Sequence, residues 1–117
     1  MSQRPKVFVV NKSTHDFSAA EVFGDVVFLS KNNLQKYSTS QAYRTFYPIL
    51  SHSNSEDYLI ISGLTMHCMV AAFILTNKHK RLNLLLFTEK KNKKQYLERV
   101  IIGDNYDTRT RRNSTDS

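Results

Sequence analysis

The sequence predicts an α/β fold of three layers, with a mostly parallel sheet between helices and an antiparallel hairpin closing one edge. Three observations predict it. Short apolar runs alternate with helical signals in the order β-α-β-α-β-α-β-β. The runs are apolar at consecutive rather than alternate positions, which is the pattern of strands buried on both faces of a parallel sheet. The last two runs are separated by only a short lysine-rich segment, which suits an antiparallel return. The 117 residues make one ordinary domain with room for its own core. An apolar fraction of 40%, with 3 Gly and 2 Pro, excludes a collagen-like or wholly disordered chain.

The first strand is expected over Lys6 to Val10, four apolar residues in a row after the lysine. A polar stretch, Asn11 to Asp16, leads to a short helix. Ser18 with Glu21 fits a capping box, Phe17 with Val22 fits a hydrophobic staple, and Gly24 fits the left-handed residue that ends the helix. Val26 to Leu29 is the second strand, with Ser30 to Asn33 as its polar exit. Ala42, Tyr43, Phe46 and Leu50 recur at helical spacing, so a second helix is expected from Thr39 to Phe46, stopped at Tyr47 because Pro48 disfavours helical geometry before it. Tyr58 to Ile61 is the third strand. Ser62 and Gly63 turn the chain, and Thr65 is placed to cap a third helix, Met66 to His79. That helix is apolar almost all round, which implies burial on all sides, either centrally or against a second subunit. Leu82 to Phe87 is the fourth strand, Thr88 to Lys94 a lysine-rich turn, and Gln95 to Ile102 the fifth strand. Residues 1–103 are thus expected to form one domain, and 104–117, polar with one aromatic, a disordered tail.

Charge narrows the function classes. The formal net charge is +7. Residues 1–77 carry a net of +1 and residues 100–117 a net of zero, whereas residues 78–99 hold eight basic residues against Glu89 and Glu98. A localised basic patch points to an anionic partner. A single cysteine excludes a disulfide framework and multi-cysteine zinc sites. The apolar run Leu64 to Leu75 is shorter than the ~20 residues of a spanning helix. Arg4 and Lys6 precede only Val7 to Val10, less than the ~7–15 apolar residues of a signal peptide. A cytoplasmic protein without a membrane partner, metal or cofactor is expected.

In open α/β sheets, ligands bind beyond the carboxyl ends of the strands. The polar strand exits supply Asn11, Lys12, Ser13, Thr14 and His15, then Ser30, then Ser62, Gly63 and Thr65. If the fourth strand is parallel to the first three, the hairpin leaves from that same edge and brings Lys90, Lys91, Lys93 and Lys94 beside them, while Lys78, Lys80 and Arg81 fall at the opposite edge. Ser62-Gly63-Leu64-Thr65 combines close backbone approach, a helix N-terminus and a hydroxyl, which suits phosphate. There is no Gly-x-Gly-x-x-Gly and no Walker motif. His15 and Asp16 are the best acid–base pair, but a solvated or capping role is the stronger reading, so no catalytic residue is assigned. His67 and Cys68 are consecutive and point to different helix faces, so they do not form a metal pair. His67 reads as a structural histidine and Cys68 as a small core residue.

The run from Tyr58 through Ser62, Gly63, Thr65 and Met66 into an apolar helix resembles a junction in CRISPR-associated Rossmann-fold (CARF) sensor domains, where a strand runs into a glycine–threonine segment that opens a helix. In those domains the segment holds a cyclic oligoadenylate; this sequence has Leu64 and Met66 where that motif has a second glycine and a lysine, and the resemblance implies a related Rossmann-like nucleotide-binding fold, often dimeric. Together with the polar edge it gives the leading expectation: non-enzymatic binding of a phosphorylated ligand, most simply a nucleotide or cyclic nucleotide, by a homo-oligomer. The alternative is a small viral or phage-type inhibitor or interaction protein that binds a host protein. A further alternative is nucleic-acid binding through the lysine hairpin.

Overall fold

Consecutive apolar strands need cover on both faces, and the computed structural model, which describes residues 4–12, 16–31 and 34–103, shows how each face is covered. Five strands, β1 (Lys6–Val9), β2 (Asp25–Phe28), β3 (Tyr58–Ile60), β4 (Arg81–Lys90) and β5 (Lys93–Ile102), form one sheet in the order β2-β1-β3-β4-β5. β1 is parallel to β2 and β3, β3 is parallel to β4, and β4 pairs antiparallel with β5. The chain steps one way from β1 to β2 and the other way through β3 to β4. Right-handed crossovers therefore put the β1–β2 connection on one face and the later helices on the other. The packing agrees. Helices α1 (Thr39–Leu50) and α2 (Thr65–His79) pack with Phe8, Val10, Leu59 and Leu82. The 3-10 helix Ser18–Val22 packs with Val7, Val9, Ile60 and Leu85. The mostly parallel α/β sheet with its antiparallel edge is as expected, but among the described residues the third layer is one 3-10 turn and not a helix.

Several local expectations are corrected. The capping box does not form: Asp16 Oδ1, not Ser18, accepts the Ser18 N–H at 2.9 Å, and no side-chain cap bond comes from within the turn. Val22 is exposed, so there is no staple, while Phe17 alone is buried. Gly24 is not left-handed. It is required because a Cβ there would stand 2.2 Å from the Pro5 carbonyl oxygen. Helix α1 continues through Pro48 to Leu50, with Ser38 Oγ accepting the Gln41 N–H at its start. Proline removes one backbone bond near the helix end, and the fully buried Phe46 and Leu50 on either side offset that loss. Thr65 is the first residue of α2 and not its cap. That position is taken by Leu64, without a side-chain bond.

Asn83, the one polar residue within the apolar run Leu82 to Phe87 of β4, is buried, and its amide donates to the carbonyls of Ser55 and Asp57, both at 2.8 Å. Asp57 in turn accepts the N–H groups of Lys6 and Asn54. This network ties the amino ends of β1, β3 and β4 to the loop before β3. The tail expected over 104–117 lies outside the described residues. No helix among the described residues is long and apolar enough to cross a membrane.

Candidate functional site

The polar strand exits do meet. Ser30 is buried, its hydroxyl donates to the Val10 carbonyl at 2.8 Å, and it lies 3.0 Å from Asn11 Oδ1. The Lys12 N–H donates to the Ser30 carbonyl, and Lys12 Nζ sits 5.7 Å from the centre of the Phe28 ring. Gly63 has φ +95°, and a Cβ there would lie 3.9 Å from Asn11 Cβ, so the exits of β1 and β3 are neighbours. This is where the strand order reverses, the usual crevice of an open α/β sheet. The exits of β1 and β2 spend these hydrogen bonds on each other. The Ser62 carbonyl accepts from the Cys68 thiol, and burial pushes that thiol's pKa up. Thr65 is exposed at the start of α2. Ser13, Thr14 and His15 lie outside the described residues. Among those described, no three His, Cys, Asp or Glu side chains gather as a metal site.

The fourth strand is parallel to the third, so the lysine hairpin leaves from this edge. It does not, however, begin as a turn at Thr88. Both strands run on to Lys90 and Lys93, and only Lys91 and Asn92 turn the chain, with φ of 51° and 64°. That is the two-residue hairpin geometry with both central residues left-handed. β3 pairs with β4 only from Asn83 to Leu85. The five residues Leu86 to Lys90 therefore carry the tip roughly 17 Å beyond the edge. Lys90, Lys91, Lys93 and Lys94 stand on this ribbon, away from the level of Asn11, Ser30, Ser62 and Gly63.

One face of the ribbon's base is held by Tyr96, whose ring meets Phe87 edge-on at 5.5 Å within the cluster under the 3-10 helix. Tyr96 is buried and its hydroxyl has no hydrogen-bond partner. Burial first, and the negative Asp16 second, raise its pKa. An unsatisfied buried hydroxyl costs about 1–3 kcal/mol. Tyr96→Phe is therefore expected to raise stability by about 1 kcal/mol in urea denaturation. The raised pKa adds a sign. An unfolded tyrosine ionises near 10 and the folded one above it, so stability is lost as pH rises from about 10, and the variant lacks that loss. A variant less stable than the parent would mean that the hydroxyl is bonded after all.

Of the two placements expected for the all-apolar α2, the fold does not show the central one. Its inner side is buried as expected, with His67 among it: Nε2 lies 3.3 Å from the Gln35 carbonyl oxygen and the ring stands edge-on to Phe46, which makes it a structural histidine. Its outer side is uncovered. Met69 is 65% and Phe73 60% exposed, and Tyr43 of α1 is 40% exposed and stacked on Tyr47. Thr39, Ser40, Tyr43, Met66, Met69, Val70 and Phe73 line a groove of about 520 Å³ between the two helices. The signal was present in the all-round apolar composition of 66–75. Only the structure says which side stays open.

A family model for the phage Pam3 gp32-like protein matches residues 5–101. No curated protein and no solved structure matches the chain. The match spans β1 to β4 and all but the last residue of β5, and it overturns the likeness to CRISPR-associated Rossmann-fold sensors, which rested on the segment from Tyr58 to Met66 alone. The physical reason is that a strand–glycine–helix junction arises wherever a parallel strand must turn into a helix. Here Gly63 serves that turn with its positive φ.

Proposed function

The chain belongs to the phage Pam3 gp32-like protein family, and from that premise we propose that it is a small phage interaction protein, which works by docking a host protein on the outer face of α1 and α2. The observation that carries this reading is the exposure of Met69 and Phe73 beside Tyr43 around one apolar groove. Contiguous apolar surface of this kind marks a binding face on a soluble domain. Aromatic residues and methionine are the types enriched at interface cores, and methionine adapts its shape to a partner. The fold does not need these side chains, because the sheet is already covered by the inner side of α2. A groove between two helices takes the apolar stripe of a partner helix, with anchors at i, i+3 and i+4.

A photo-crosslinking residue at Phe73, expressed in the host cell, is expected to capture a discrete host protein. Met69→Lys in the same chain should remove the adduct. With the partner in hand, Phe73→Glu should weaken binding by about 30-fold or more, the scale of an interface hot spot, without lowering thermal stability. An adduct made only of a second copy, or a solution dimer that Phe73→Glu dissolves, would overturn the reading in favour of a homo-oligomer. So would the absence of any adduct.

A further inference from the structure

We propose that the β4–β5 ribbon is a duplex nucleic-acid-binding arm, a second binding site that does not rest on the docking face. The hairpin register sets its two faces. Lys90 stands opposite Lys93 and Thr88 opposite Gln95 on one face, while Glu89 stands opposite Lys94 on the other. None of the four lysines makes an ion pair or side-chain hydrogen bond to a described residue. Lys90, Lys91, Lys93 and Gln95 line a concavity of about 320 Å³ at the tip.

Two features of this ribbon work against its own folding. Like charges directly opposite each other on a hairpin are destabilising, yet Lys90 and Lys93 are such a pair. The first position of a turn with φ > 0 prefers Asn, Asp or Gly, yet Lys91 sits there at φ 51°. Breaches of local rules of this kind gather at functional sites. Both breaches have the same effect, which is to place uncompensated positive charge at the end of a projecting element. Phosphates relieve both.

Shape selects the anion. A two-stranded antiparallel ribbon fits the major groove of a duplex, which is about 12 Å wide. Beyond Phe87 and Tyr96, which pack under the 3-10 helix, the ribbon projects for about 10 Å, enough for its tip to enter a groove about 8.5 Å deep. Phe87 and Tyr96 are turned into the cluster under the 3-10 helix and do not offer stacking platforms, which argues for a duplex over a single strand. Behind the lysines, the Gln95 side chain is an uncharged hydrogen-bonding group able to meet a base edge, while the Thr88 hydroxyl donates to the Gln95 carbonyl at 3.4 Å.

The test is fluorescence anisotropy with a labelled duplex of about 20 base pairs across about 50–300 mM salt. With four lysines on phosphates, log K is expected to fall against log salt with a slope of about −3 to −4. The Lys90→Gln/Lys91→Gln/Lys93→Gln/Lys94→Gln variant should lose that slope and most of the affinity while its thermal midpoint holds or rises, because the opposed Lys90–Lys93 pair is gone. Lys78→Gln, at the opposite edge, and Phe73→Glu, on the docking face, should both bind as the parent does. No binding at the lowest salt overturns the proposal, as does equal binding by the quadruple variant. Binding of a single strand, an acidic peptide or an anionic vesicle as tightly as the duplex also overturns it.

Discussion

Replacing Phe46 by alanine is expected to lower the unfolding free energy by about 3–5 kcal/mol, a large share of the 5–15 kcal/mol available to a typical domain. Phe46 is fully buried on the inner side of α1 and meets the ring of the buried His67 edge-on at 6.2 Å. Truncation removes its apolar transfer energy and leaves a cavity that the surrounding structure fills only partly. It also strips the packing that offsets the helix's loss of a bond at Pro48, so the last turn of α1 should fray as well. Urea denaturation measures it, with an unchanged m-value confirming that the change is one of stability and not of the unfolded ensemble. Phe73→Ala on α2 is the comparison. It removes the same ring from a site 60% exposed and should shift stability by no more than about 0.5 kcal/mol. If Phe46→Ala were equally mild, the core built around α1 would be misplaced.

That contrast shows where the sequence was legible. Both rings lie on apolar helices, and periodicity marks Phe46 as inward because α1 is amphipathic. The sequence of α2 gives no such sign, since its apolar residues surround it. The open side of Met69 and Phe73 is a consequence of where the sheet ends and where α1 lies, which are long-range facts. Strand existence and the parallel direction of β1 to β4 could be read from continuous apolar runs, because two-sided burial leaves that mark. The ends of β4 and β5 could not. Thr88, Glu89, Lys90, Lys94 and Gln95 carry no apolar alternation because the ribbon leaves the sheet and packs little, while the backbone ladder that makes it a ribbon needs no particular side chains. The polar exits at Asn11, Ser30, Ser62 and Gly63 were correctly brought to one edge by topology alone. That Ser30 bonds to Val10 and Asn11 across the exits of β1 and β2 depends on rotamers that no spacing encodes.

The two proposed surfaces have different physical origins, and their salt responses should separate them. Apolar docking on Met69 and Phe73 is driven by burial and is little weakened by salt. The lysine ribbon works through released counterions and weakens steeply with salt. They also lie on different parts of the molecule, one on the outer side of the helices and the other at the tip of the hairpin beyond the carboxyl edge. A phage protein carrying both could hold a host protein and a duplex together, and loss of either surface by substitution should leave the other intact.

Gly24→Ala is expected to destabilise the protein by about 3 kcal/mol, at the upper end of what a single added methyl causes in a packed site. The backbone there is not left-handed, so alanine has no conformational penalty. The cost is wholly steric. An alanine Cβ would stand 2.2 Å from the Pro5 carbonyl oxygen and 2.8 Å from the Pro5 carbonyl carbon. Both are main-chain atoms, so no side chain can rotate away to make room. Pro5 is also fixed in place: its carbonyl accepts the Asp25 N–H at 2.9 Å, and Arg4 beside it pairs with Asp25 at 3.0 Å. Relief requires the turn after the 3-10 helix to move away from the start of β1, which breaks that hydrogen bond and opens the Lys6–Asp25 end of the β1–β2 ladder. β2 is an edge strand of four residues paired on one side only, so losing its first pairing is a large part of what holds it. Hydrogen exchange should therefore report faster exchange of the β2 amides before global unfolding. Gly103→Ala supplies the control, since nothing lies within 4 Å of its would-be Cβ, and it should change stability by no more than about 0.5 kcal/mol. Equal, small effects at the two glycines would mean that the start of β1 does not pass against Gly24 as described.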